Sequence, residues 1–413
     1  MSTPVRWQAT VAAALCMAVG VSAVFMGSFP IFLRPISTEL GWGRATFPQI
    51  ITVMSLVAAL LMPVAGGLVV RFGVHRPVAS GLMFAALGML LLSFLQGKDG
   101  FFWLAALCLG AASAIAGPPA YIGLISTWYD RNRALAIGCI LSVAPACSQA
   151  LVAPATQALV NAFGWRISYR VLALGVLVVG LIASLSFLRP RASIEEDRGP
   201  VLAAGANAFK ALLMPVFWLL AIASCLANGT VIGLQVHLVA WLTGRGVPAG
   251  TAAFVISTLF LGGVAGAFVA GFVADRTRRI RVLQIFYAFP LIGLLAMGAS
   301  TYLPFLLAGA LLIGIGGSAV TGLAPYLVTR YFGVKASAEI FGVQLGMTLL
   351  TIGIVPVLIG LGYDLTGSYT IPMIFAGVSV AIATVCIGLA DRVSGGGLRA
   401  AKIESDATAG ADL

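Results

Sequence analysis

The sequence predicts an all-α integral membrane protein of twelve transmembrane helices in two pseudo-symmetric six-helix halves. Three observations carry this: a composition too poor in charge for a soluble chain, twelve apolar spans of membrane length, and motifs that recur about 205 residues apart. Of the 413 residues, 60% are hydrophobic and only 9% charged, whereas soluble domains carry roughly a quarter charged residues. So few charges cannot cover the surface of a soluble chain this long. The mean hydropathy of +1.06 agrees.

A span needs about 20 consecutive apolar residues. Twelve are expected, at 9–33, 46–70, 77–96, 101–127, 134–160, 168–188, 214–242, 251–274, 281–300, 302–328, 336–361 and 371–390. The first exceeds signal-peptide length and lacks a cleavage site, so it reads as a retained helix. Residues 1–188 form the first half and 214–391 the second. Between them lies a polar cytoplasmic linker, 189–213, containing RPRASIEEDRGP. The polar tail, 392–413, is expected to be disordered.

Lysine and arginine set the orientation. With the N-terminus inside, eighteen fall on the inner side and six, Arg34, Arg44, Lys98, Arg166, Arg170 and Arg245, on the outer. Both termini are thus expected in the cytoplasm, as in a bacterial inner-membrane protein. All seven tryptophans fall near span ends, the interfacial position of that residue. The net charge of +11 is dispersed over short loops. That pattern suits anionic lipid heads and argues against nucleic acid, which requires a basic stripe on a folded surface. The six cysteines lie in apolar spans with no CxxC spacing, so neither disulfides nor a metal site is expected.

The halves repeat. GGLVVRFG from Gly66 matches GFVADRTR from Gly271, and TWYDRNRALA from Thr127 matches TRYFGVKASA from Thr329. Arg133 precedes Pro154 by the same distance as Lys335 precedes Pro356, and Tyr121 is the mate of Tyr326. Duplicated six-helix halves around a polar linker mark a rocking transporter.

These residues resemble the major facilitator superfamily. GGLVVRFGVHR (66–76) is similar to its loop 2–3 motif, with Val70 where an Asp is usual; Asp275 and Arg276 keep the acid in the second half. A narrower resemblance is to the monocarboxylate-transporter and oxalate/formate-antiporter branch. It rests on FLRPISTELGWGRA (32–45), WYDRNRALAIG (128–138), FGWR (163–166), VHLVAWLTGRGV (236–247) and GYDLTGSY (362–369). The oxalate pattern in span eight places a carboxylate-binding Arg after its first glycine. Here Gly266 is followed by Ala267, and no charged residue lies between 246 and 274.

Substrate in such a fold binds near the midplane, between the halves. Polar residues at that depth are few. Tyr121 in span four, Gln149 in span five, Asn228 and His237 in span seven, Tyr326 in span ten and Gln344 in span eleven are the candidates. Each has a plainer reading as a packing or interhelical hydrogen-bonding residue. Asn228 precedes Gly229, so a helix break there is a further possibility. His237 is either a substrate contact or proton carrier, or an outer-leaflet histidine bonded to a backbone carbonyl. Arg34, near the outer end of span one, either attracts anions or anchors to lipid heads. Asp275, Arg276, Arg131, Arg133 and Glu339 lie at inner helix ends and, on the family resemblance, form a gate; otherwise they are solvated loop charges.

The sequence therefore predicts a secondary active or facilitative carrier of a small organic solute. The solute is expected to be a monocarboxylate-type anion, moved with or without a coupled proton, by symport or antiport, through a monomer. The alternative is an exporter of neutral or amphipathic compounds, favoured by the uncharged centre. A membrane sensor would need a regulatory domain that neither linker nor tail is long enough to supply. No nucleophile–base pair points to an enzyme, and no cofactor is expected.

Overall fold

The computed structural model describes residues 3–97, 100–118, 120–121, 124, 139–187, 212–276, 280–332 and 334–409, and among these there is no β-strand. That follows from the solvent. Hydrocarbon offers no partner for a backbone N–H or C=O, so a spanning segment must close its hydrogen bonds internally.

In chain order the helices are α1 (Thr3–Val19), α2 (Met26–Glu39), α3 (Gln49–Phe72), α4 (His75–Leu92), α5 (Gly100–Ile115) and α6 (Ala144–Phe187). The second half holds α7 (Pro215–Gly244), α8 (Ala249–Arg276), α9 (Ile280–Ala299), α10 (Leu303–Phe332), α11 (Val334–Thr366) and α12 (Thr370–Ala409). A π-helical turn, Val21–Phe25, joins α1 to α2, and another, Cys139–Val143, leads into α6. Spans two to four are α3 to α5, and spans seven to twelve are α7 to α12. Eight helical segments of the described residues are long and apolar enough to cross a membrane by themselves.

Two elements differ from the simple expectation of one helix per span. Span one is not a single helix: Gly20 is extended (φ −69°, ψ 176°), so α1 stops at Val19 and the chain restarts in a π turn. Spans five and six run together as α6, divided at Gly164, whose φ is +75°. Only glycine adopts that conformation without strain, and it turns the chain back through the bilayer. The following residues fasten the corner. Trp165 Nε1 donates to Glu39 Oε2 at 2.5 Å, Arg166 pairs with the same carboxylate, and Arg166 Nη2 donates to Leu95 O at 3.0 Å. The motif FGWR is thus a corner that ties span six to the ends of spans one and three.

Asn228-Gly229 follows its plainer reading: α7 runs unbroken from Pro215 to Gly244. Gly229 admits α11: a Cβ there would lie 2.9 Å from Val355 Cγ2 and 3.2 Å from the Thr351 carbonyl. The tail, expected to be disordered, is instead helix as far as Ala409.

The glycine-rich stretch of α8 is a packing surface. Gly262 lies against the backbone of Leu311, where a Cβ would fall 2.5 Å from its carbonyl oxygen, and Gly266 lies against that of Ile315. Small residues four apart let α8 and α10 approach backbone to backbone. The core is one extended apolar cluster that runs from span one across both halves to α12, with a second cluster within the second half between α7, α8, α9, α10 and α12 and a small third one between α7, α10 and α11.

The Gly164 corner yields a direct test. Gly164→Val forces a β-branched residue to positive φ, with no neighbour within 4 Å to add a clash. The expected loss is about 1–3 kcal/mol, read as a lowered melting temperature of the detergent-solubilised protein.

Candidate functional site

The break in span one lies among residues that face its neighbours. After Gly20 the turn's first hydrogen bonds run back to that residue: Ala23 N to Gly20 O at 3.1 Å and Val24 N at 2.9 Å. Carbonyls before and within the break are left for side chains to satisfy. α6 supplies them. Ser148 Oγ donates to Ala18 O, and Gln149 Nε2 to Ser22 O, each at 2.5 Å. Gly27 lets this happen, since a Cβ there would sit 3.0 Å from Gln149 Cα. Ser22 itself is exposed within a turn whose other residues are buried. Gln149 is therefore half-committed to structure, with its amide oxygen free of any partner among the described residues.

The second half contributes a polar cluster on α7, α10 and α11. Thr321 Oγ1 donates to Asn228 Oδ1 at 2.7 Å, and Asn228 Nδ2 to Ser224 O at 2.9 Å. Gln344 Nε2 donates to Ser224 Oγ at 2.7 Å and to Leu220 O at 3.2 Å. Its Oε1 is buried with no hydrogen-bond partner among the described residues. Tyr121, fully buried, has an equally unsatisfied hydroxyl. Orphaned buried polar atoms cost roughly 1–3 kcal/mol each; among the described residues Ser37, Arg44, Thr156, Tyr169 and Tyr287 carry one too.

His237 sits elsewhere, fully buried, with both ring nitrogens occupied. Nε2 lies 2.8 Å from Pro356 O and Nδ1 lies 3.1 Å from the Tyr369 hydroxyl. A carbonyl only accepts, so Nε2 carries the proton and Tyr369 donates to Nδ1. Tyr326 is half-buried; its hydroxyl donates weakly to Ala274 O at 3.4 Å and accepts from Arg330 Nη1 at 3.3 Å. Arg34 is exposed on α2 and makes no hydrogen bond or ion pair among the described residues.

The face opposite the termini, here the distal face, is closed by contacts between the halves. One surface of α11 makes the seal. Gly353, Gly360 and Asp364 are spaced by seven and four residues, which stacks them on one side of a helix. Thr52 Oγ1 donates to Gly353 O at 2.7 Å. Gly360 lies flat on the chain entering α3, where a Cβ would fall 2.5 Å from Arg44 O. Asp364 then accepts from the backbone of Arg44 at 2.6 Å and of Ala45 at 2.9 Å. Its carboxylate thus holds the turn that leads into α3 from the other half, by two charge-assisted hydrogen bonds. The Arg44 guanidinium stacks over Tyr363 at 5.6 Å, and Tyr363 packs on Tyr369 at 4.5 Å. One chain of contacts therefore links the N-terminal half to Asp364, Tyr363, Tyr369 and His237.

At the terminal face Arg276 stacks over Phe272 at 3.5 Å. Arg131 and Arg133 lie outside the described residues, as do the side chains of Asp275 and Glu339. Among the described residues the acidic side chains are Glu39, Asp364 and Asp391, all at span ends, and no group of three metal-ligating side chains comes together. The cross-half acid Asp364 was not singled out in the sequence; its signal was the GYDLTGSY stretch, which carries an acid at a span end.

The whole chain has the shape of known carriers. Its structure superposes on a bacterial homolog of the human lysosomal transporter Spinster, in an inward-facing and unoccupied conformation, with TM-score 0.74, 18% identity and coverage of 95% of this chain and 98% of that one. The nucleoside transporter NupG gives TM-score 0.74 at 13% identity, covering 93% and 99%. A family model described as Major Facilitator Superfamily matches residues 12–299 and 243–405. The chain belongs to the major facilitator superfamily. It is a multi-pass membrane transporter, not an enzyme. Within the superfamily it is similar to the Mus musculus protein named monocarboxylate transporter 11, at 28% identity over 86% of this chain and 75% of the relative. The Homo sapiens monocarboxylate transporter 12 is 23% identical over 87% and 76%.

The distal seal predicts a measurable shift. Asp364→Ala removes the carboxylate that holds the turn before α3, a loss of about 1–2 kcal/mol, or roughly a five- to thirty-fold change in a two-state population. Spin labels at positions 38 and 300, on opposite halves, should show a grown long-distance population by electron-resonance distance measurement. Gly360→Leu should shift it further, because the side chain wedges the two backbones apart.

Proposed function

We propose that this chain is a secondary carrier of small monocarboxylate-type organic anions, working by rocking alternating access. The observation that carries this reading is the similarity to monocarboxylate transporters along nearly the whole chain. The site chemistry supports it. The seat lies between the broken span one with Gln149, on one side, and Asn228, Thr321 and Gln344 on the other. Tyr121 donates its unsatisfied hydroxyl to the carboxylate. Tyr326, its repeat mate, closes the terminal end of the cavity. Recognition by neutral donors is weaker than by an arginine fork, so a low-affinity carrier is expected.

Arg34 acts at the distal entrance, concentrating anions when that face opens. Asp275, Arg276, Arg131, Arg133 and Glu339 form the latch of the terminal face, which is cytoplasmic on the lysine and arginine bias. The carrier works as a monomer. Proton coupling, where present, runs through the solute or His237; the latter adds its proton at Nδ1, so Tyr369 must cease donating there while the bond to Pro356 O is kept, which ties protonation to the Tyr369 and Tyr363 end of the distal seal.

A second reading has its own observation. Ala267, half-buried on α8, stands where the related oxalate pattern carries a cation. A seat lined only by neutral groups suits a neutral or amphipathic compound moved outward.

Uptake of radiolabelled lactate, pyruvate and oxalate into proteoliposomes separates the two. Saturable uptake of one or more supports the anion reading, while transport of only neutral solutes rejects it. In the same assay Arg34→Gln should raise the apparent KM several-fold with kcat little changed. Unaltered kinetics would assign Arg34 to lipid anchoring.

A further inference from the structure

Each half carries a lateral groove that the transport reading leaves unused. In the second half a groove of about 850 Å³ runs down between α9 and α12. Its floor is aliphatic, with Leu291, Leu295, Ile374 and Val378. Its distal rim is polar: Arg245, Ser368 and Thr370. In the first half a groove of about 630 Å³ lies between α4 and the span-six part of α6. Met83, Phe84, Leu87 and Leu174 line it, and Arg170 stands on its rim. Spans three and six are the repeat mates of spans nine and twelve, so the grooves are related by the internal duplication.

The two arginines are not repeat mates. Arg170 belongs to span six, whereas Arg245 follows span seven. The two halves carry the cation at different places in the repeat, yet each holds it in the same way. Arg245 stacks over Trp241 at 5.4 Å and donates Nη1 to Met297 O at 2.6 Å and Nη2 to Gly298 O at 3.2 Å, at the end of α9. Arg170 stacks over Phe94 at 5.1 Å and donates Nε to Ser93 Oγ at 3.2 Å, at the end of α4. A guanidinium has five N–H donors. Both arginines are thus fixed in place with donors to spare, above an apolar trough at the level where a bilayer has its head groups.

We propose that these grooves are phospholipid sites, with an acyl chain along the aliphatic floor and the phosphate on the rim arginine. In the larger one, the Ser368 and Thr370 hydroxyls stand beside the same phosphate. An arginine fork suits phosphate oxygens, and the charge selects anionic over uncharged lipid. Gly377 provides a way to close the larger groove without touching Arg245. A Cβ there would meet Leu291 Cδ1 at 3.5 Å and Leu294 Cδ2 at 3.7 Å, ordinary contacts.

The test is native mass spectrometry of the full-length protein in mild detergent, titrated with phosphatidylglycerol and, separately, with a diacylglycerol of the same chains. Two retained phosphatidylglycerol molecules per chain are expected, with diacylglycerol bound much more weakly. Arg245→Gln and Arg170→Gln should each weaken one site roughly fivefold. Gly377→Leu should abolish the larger site while the melting temperature holds. Equal binding of the two lipids, phosphatidylglycerol titrations unchanged in all three variants, or a protein partner that fills the grooves and excludes lipid would each overturn the proposal.

Discussion

The backbone's need for hydrogen-bond partners in a medium that supplies none governs this molecule. Where a helix is interrupted, another helix supplies the missing group. Gly20 interrupts span one, and Ser148 and Gln149 of α6 satisfy the carbonyls of Ala18 and Ser22. Pro356 removes an amide from α11, and with it the partner of the carbonyl four residues earlier. Carbonyls on either side draw side-chain donors: Thr52 donates to Gly353 O, and His237 donates to Pro356 O. The two places differ in one respect. Span one is repaired from within its own half, whereas Gly353 takes its side-chain donor from the other half.

That difference separates the scaffold from the moving part. Within each half, small residues bring backbones together, as Gly262 and Gly266 do between α8 and α10. Such contacts are apolar and indifferent to which face is open. Between the halves at the distal face, beside the close packing of Gly360 and the stacking of Arg44 on Tyr363, stand a few polar contacts: a hydroxyl on a carbonyl and a carboxylate on two amides. Each contributes on the order of 1 kcal/mol, which is the scale on which a solute's differential affinity can tip a two-state carrier.

Most of the fold was legible in the sequence because hydrocarbon imposes a length and polarity rule on every span. The duplication and the corner at FGWR were also readable, the latter as a motif without its mechanism. What stayed hidden was of another kind. Gly20 sits in an apolar run with no proline beside it, so nothing local separates it from the many glycines that merely pack. Asp364 looks like any acid at a span end, because its partners are backbone amides some 320 residues away. His237 was readable as a suspect, but its two bonds depend on where Pro356 and Tyr369 arrive in space. Spacing reports which residues share a face; it is silent on which backbone groups a break has released.

The cross-half bonds of Asp364 bear on speed rather than equilibrium. With the distal face shut, its carboxylate serves the amides of Arg44 and Ala45; with that face wide open, water entering the vestibule can do so. Between these extremes the halves have parted but the gap is still too narrow to wet. At that moment those two amides have neither partner. Such a dry interval raises the barrier without altering the stability of either end state. The same few polar contacts that balance the two conformations would then also set how often the carrier turns over.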